Sequence, residues 1–233
     1  IVLPDADTTP AQLCGLADGV PRQSQLPRHL AAQGCRVIVP ALISRAMSKR
    51  NNRANLTHRE FIFRPAFVVG RHLIGYEIQK VLALVDWLRL TEGSGHRLAI
   101  VGYGEGGMLA FYASAIDPRI DVTYVSGFFG TRETVWQQPL SRNVFGLLRE
   151  YGDAQVAAMI APRALTIALT KHPEVTLPGE GGAPAVVESP DVDSARAEFE
   201  RARKWTETLN ISSDDGSAES PDWTVRVSTD TNF

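Results

Sequence analysis

The stretch LAIVGYGEGGMLAFYASA, residues 98–115, constrains this chain more than any other. An apolar run of strand length enters a turn reading Gly102-Tyr103-Gly104-Glu105-Gly106-Gly107, and an apolar run of helix length leaves it. Glycines this dense belong where backbone must bend sharply or pass close to another group, so the stretch predicts a strand, a tight turn and a helix packed back on the sheet.

The rest of the chain repeats that alternation. IVLP (1–4) reads as a strand, 23–33 as a helix with Leu26, Leu30 and Ala31 on one face and Gly34 as its stop, and CRVIVPAL (35–42) as a parallel strand covered on both faces. Between Leu73 and Leu90 the residues Ile78, Val81, Leu82, Val85 and Leu88 recur at three and four, the mark of an amphipathic helix that Gly93-Ser94-Gly95 ends. A helix over 106–116, strands VTYVSG (122–127) and ALTIAL (164–169), a helix at RNVFGLLREYG (142–152), a Pro/Gly-rich loop at 172–190 and a charged helix over 191–209 follow. The expected fold class is α/β: a mainly parallel sheet flanked by helices in three layers. One domain is expected over 1–209, then a polar tail over 210–233, mobile at 212–220 and with an edge strand at WTVRVST (223–229).

Composition narrows the function classes. A formal charge of −2 with scattered basic residues leaves no nucleic-acid footprint, and the arginines of 44–60, with His58, read as a solvated excursion. No apolar run reaches membrane-spanning length, and no signal peptide opens the chain, which starts at Ile1 in strand-like sequence without Met, so that processing or a fragment has to be considered. Cys14 and Cys35 lack metal-ligand spacing and read as buried free thiols. No metal or cofactor is called for. The sequons at Asn55 and Asn210 do not establish secretion.

Two motifs fit the turn. As G-x-G-x-x-G it matches a dinucleotide-binding fingerprint, but the next strand ends Ser126-Gly127-Phe128-Phe129 without the carboxylate that would hold a ribose, and strands precede the turn. As G-x-Nuc-x-G-G it is a nucleophile elbow with Gly104 at the nucleophile position, and Gly102 and Gly106 where side chains would collide.

The segments LAAQGCRVIVPAL, GRHLIGYEIQKVLALVDWL, GYGEGGMLAFYASAIDPRID and IAPRALTIAL together resemble the α/β-hydrolase superfamily, in its dienelactone hydrolase and acetyl xylan esterase-like branch, over residues 1–170. The resemblance implies an α/β-hydrolase fold acting on carboxylic esters, with the family's earliest strands missing here. It implies an oxyanion loop at Asp5 and Ala6, an oxyanion donor in the Glu105 N–H, a tight approach at Gly106 and an acid near Glu174. It also implies a substrate-contacting segment after the strand at 122–127, where Arg132, Trp136, Arg142 and Asn143 lie. Trp136 is either a stacking face for a sugar or, with Phe128 and Phe129, packing beneath a loop.

The chemistry departs from that pattern. Gly104 has no side chain to attack with, and no histidine follows His172. A glycine relieves the strain of an elbow residue at positive φ, on the order of 1–3 kcal/mol. Three readings stand: a catalytically silent hydrolase-fold protein that binds a small ester or carbohydrate-like ligand; a noncanonical ester hydrolase using Glu105 at a helix start, assisted by His172 or His58; and a dinucleotide-binding oxidoreductase.

Overall fold

In a computed structural model of the chain, residues 1–208 and 222–227 are described. The expected tail motion at 212–220 and the sequon at Asn210 fall outside them. The centre is a five-stranded sheet of β1 (Val2–Leu3), β4 (Ala99–Tyr103), β5 (Val122–Ser126), β6 (Ala164–Leu169) and β9 (Trp223–Val227), in that order and parallel throughout. Around it run α1 (Pro10–Leu13), α2 (Leu26–Ala32), α3 (His58–Val68), α4 (Leu73–Glu92), α5 (Glu105–Ile116), α6 (Leu147–Glu150), α7 (Asp153–Ala158) and α8 (Val192–Thr208). Two hairpins complete it, β2 (Met47–Arg50) with β3 (Ala54–Thr57), and β7 (Val175–Leu177) with β8 (Ala185–Val187). Sheet and flanking helices form the expected α/β fold.

The core follows from the apolar runs. Every residue of α5 from Glu105 to Ser114 is buried, as befits a helix apolar on all sides, and it packs against β1, β4 and β5. Phe111 stacks in a group with Tyr112, Phe128 and Phe129, its ring centroid 5.6 Å from that of Phe129. Gly93 ends α4 with φ 73°, as the sequence predicts.

Five expectations need correction. Residues 35–42 form no strand: β1 offers only two residues to pair with, Pro4 and Pro40 lack donors, and one bond, Val2 N–H to the Ile38 carbonyl at 2.9 Å, joins them. Val37 to Pro40 are therefore half-covered rather than enclosed. The loop at 172–190 contains the β7–β8 hairpin, and the helix expected in 142–152 shrinks to the four residues of α6. Cys14 is half-buried and Cys35 exposed, since both follow the ends of short helices at the surface. Finally, 44–60 is no solvated excursion, because Arg45 and Arg59 are buried, at 6% and 2% exposure.

Phe111 is fully buried, so Phe111→Ala leaves a cavity beneath the sheet and is expected to cost about 3–5 kcal/mol in a denaturant melt. A loss below about 1 kcal/mol would show that the aromatic group does not anchor the core.

Candidate functional site: a buried ion-pair cluster at the elbow

Strand register brings the site together. Leu3 pairs with Gly102, so two residues on, Asp5 and Gly104 emerge level at the carboxyl end of the sheet; Ala168 pairs with Ser126 and Ser126 with Tyr103, which sends the loop carrying His172 to the same edge. Gly104 sits at φ 58°, ψ −116°, a strained region for any residue with a side chain, and its N–H is held by the Ser126 carbonyl at 2.9 Å. A Cβ at Gly102 would run into the Gly106 carbonyl, and one at Gly106 into the Leu3 and Pro4 carbonyls, which is why both are glycine.

What fills the place of a nucleophile is Asp5. A Cβ on Gly104 would lie 2.5 Å from Asp5 Oδ1 and 3.3 Å from His172 Nε2. The same Oδ1 accepts the Glu105 backbone N–H at 2.9 Å. Asp5 is held from its other side by Arg45, whose Nη1 reaches Oδ2 at 2.5 Å and whose Nη2 reaches Oδ1 at 2.8 Å. Asp7 extends the pairing, taking the Arg45 N–H at 2.7 Å and Nη1 at 3.0 Å.

The Glu105 carboxylate is fully buried among three guanidinium groups. Oε1 accepts Arg59 Nη2 at 2.9 Å; Oε2 accepts Arg45 Nη2 at 3.2 Å and lies 3.1 Å from Arg142 Nε. That last contact is an ion pair whose angle is too poor for a hydrogen bond, so Arg142 Nε is unsatisfied. Arg59 also forks onto Glu77, at 3.1 and 2.7 Å, and Glu77 accepts the Ile43 N–H at 2.9 Å. Burial alone would push the Glu105 carboxyl up, but Arg59, Arg142 and Arg45 hold it far below the usual carboxylate range. Asp5 behaves likewise: burial opposes ionisation and the Arg45 fork overrides it.

His172 is buried, with Nδ1 2.6 Å from the Pro173 carbonyl. Nδ1 therefore carries the proton, and Nε2 presents its lone pair to Arg142 Nη2 at 3.3 Å. Burial, then the Arg142 charge, lower its pKa to about 4. Asp5, Glu105 and His172 offer ligand atoms within 4.8 Å of one another, but three guanidinium groups already cover the two carboxylates and Arg142 covers Nε2, so the donor set suits arginine better than a cation.

The structure thus joins Asp5, Gly104, Glu105 and His172, with Ala6 and Gly106 buried alongside. Arg132 is buried in the adjoining cavity, while Glu174 is exposed beyond His172. Trp136 is 74% exposed, so it is not packing beneath a loop, unlike Phe128 and Phe129, which are core. His58 lies apart, between the hydroxyls of Ser44 and Ser48 at 3.1 and 2.9 Å. Sequence reasoning missed Arg45, Arg59 and Glu77 as site residues. The available signal was charge conservation: a glutamate inside an otherwise apolar helix start has to meet cations.

The model of the dienelactone hydrolase family matches residues 15–144, more than half of the chain and including Arg45, Arg59, the elbow and Arg142. The chain belongs to the dienelactone hydrolase family. Among solved structures, a candidate acetyl xylan esterase from Bacteroides fragilis is similar at TM-score 0.62 and 12% identity, over 100% of this chain and 58% of its own. This dienelactone hydrolase family member thus spans under two thirds of that protein's length. A glucuronoyl esterase from Teredinibacter turnerae is similar at TM-score 0.47 and 12% identity, over 70% of this chain and 43% of its own. No curated protein matches the sequence. Among the described residues no helix is long and apolar enough to cross a membrane.

Two outcomes test the cluster. Arg59→Met leaves Glu77 and Glu105 each short of a buried partner and is expected to cost about 3–5 kcal/mol in a denaturant melt. The His172 ring protons should titrate in NMR near pH 4 rather than near the ordinary 6.5. Because the unfolded chain takes that proton at the ordinary value and the folded one does not, His172 withdraws stability as pH falls from 6.5 toward 4, an effect His172→Gln should abolish.

Proposed function

We propose that this family member is a catalytically silent binding protein on an esterase-like fold, acting as a single domain over 1–209. The observation that carries the reading is the Asp5 carboxylate, which occupies the space of a nucleophile side chain and takes the Glu105 N–H that an oxyanion would need. A tetrahedral intermediate requires an attacking group and a free donor. With Gly104 at the elbow and a carboxylate on the donor, neither is available, and Asp5 would repel a developing oxyanion.

The same geometry weighs against Glu105 as a base on water. A carboxylate neutralised by three guanidinium groups and held far below its usual range has little affinity for a proton. His172 Nε2 lies near Gly104, yet its lone pair is turned to Arg142 and there is no hydroxyl or thiol at 104 for it to activate. The Bacteroides fragilis protein is named for acetyl xylan, and a small ester or carbohydrate-like ligand suits the polar cavity beside the cluster.

Purified protein is expected to hydrolyse p-nitrophenyl acetate no faster than a weak background, below the roughly 10³–10⁴-fold over water that oxyanion donors and binding leave in an enzyme stripped of its triad. Gly104→Ser is expected to stay inactive and to melt earlier, because its Cβ meets Asp5 and its φ is strained. Real turnover in the parent that Glu105→Gln abolishes while the fold survives would sink the silent reading.

A further inference from the structure

A cavity of about 350 Å³ opens beyond the carboxyl ends of β5 and β6, between the loop at 127–142 and the β8–α8 connection. Its floor is the Phe128 ring, and two guanidinium groups lie over that ring, Arg132 at 5.0 Å and Arg142 at 5.8 Å from its centroid. Arg142 is committed to Glu105, to His172 and to Gln138 Oε1 at 3.3 Å. Arg132 is different. It is 9% exposed, and among the described residues its guanidinium has no hydrogen bond and no ion pair, only the ring beneath it. The Asp153 carboxylate acts on it from a distance, but its own Oδ2 is turned to the Gly130 N–H at 3.3 Å, and burial pushes its carboxyl up to about 6.

Arg132 is nine-tenths buried as a residue, and its guanidinium keeps only the access the cavity gives it, with no protein acceptor among the described residues and a second positive group beside it. An anion placed in the cavity would relieve both. The mouth says which anion: Glu188 and Asp191 are exposed there and disfavour a multiply charged ligand, while Gln137, Thr134 and Ser189 line the walls with amide and hydroxyl groups. We infer that this cavity binds a small, hydroxylated monocarboxylate, the carboxylate forked on Arg132 and the hydroxyls on the walls. The volume lies in the range of small-molecule sites, and an Arg–carboxylate fork is the strongest neutralising contact open to such a ligand.

The inference rests on the reading of the site as binding rather than catalytic, and the two fail differently. Isothermal titration of the full chain with gluconate is expected to show saturable binding, with neutral glucose silent and inorganic sulfate weaker. Arg132→Gln should weaken gluconate at least about tenfold. Glu188→Gln, an exposed rim change that threatens no packing, should tighten it by removing a repelling charge. Absence of saturable gluconate binding, equal binding of glucose or sulfate, or indifference to both substitutions would overturn the inference. Ester turnover by the parent would instead overturn the silent reading on which it stands.

Discussion

The buried carboxylate of Glu105 is the constraint around which the carboxyl edge of the sheet is organised. It starts a helix with no exposed face, so it cannot reach water, and an uncompensated carboxylate there would cost several kcal/mol. Its partners come from three separate segments: Arg45 from the loop before β2, Arg59 from the first turn of α3, and Arg142 from the short turn ahead of α6. Each arginine then needs acceptors of its own: Asp5 for Arg45, Glu77 and the Ile43 carbonyl for Arg59, and Gln138 Oε1 and His172 Nε2 for Arg142. One ionised side chain thereby ties together three segments distant in sequence.

The same arrangement sets the electrostatics of the elbow. In a hydrolase the elbow leaves a donor free and a nucleophile exposed. Here the donor meets a carboxylate that is itself clamped by Arg45, and the imidazole beside it is kept neutral by burial and by Arg142. Charges that would shift during a reaction are locked in fixed pairs. The Arg132 guanidinium, outside those pairs, lies one layer outward over Phe128 at the cavity.

Much of the fold was legible because it follows from periodicity. ALTIAL and α4 have the pattern of their element, and Gly93, Gly102 and Gly104 mark backbone demands that only one topology satisfies. CRVIVPAL misled because apolar content reports burial preference and not the presence of a long enough neighbour to pair with. The elbow and the absence of a side chain at Gly104 were readable, as was His172 as a neighbour of the site. The arginine clamp was not, since Arg45 and Arg59 stand in a stretch as polar as any surface loop. Only the three-dimensional paths of the loop before β2 and of α3 carry them inward. Asp5 stands beside Gly104 at the sheet edge, but local sequence does not tell whether its carboxylate points away from the elbow or into it.

Gly104 also has an evolutionary consequence. Two of the four glycine codons lie a single base from serine and from cysteine codons, so a nucleophile can be genetically close at hand. The neighbourhood closes that route. A side chain at 104 meets Asp5 first, and removing Asp5 leaves Arg45 without its main partner in a buried setting. Each single step back is less stable than the present state, and only a coupled pair of changes could avoid the loss. Asp5 thus makes positions 5 and 104 a coupled pair, so that neither can be exchanged without regard to the other.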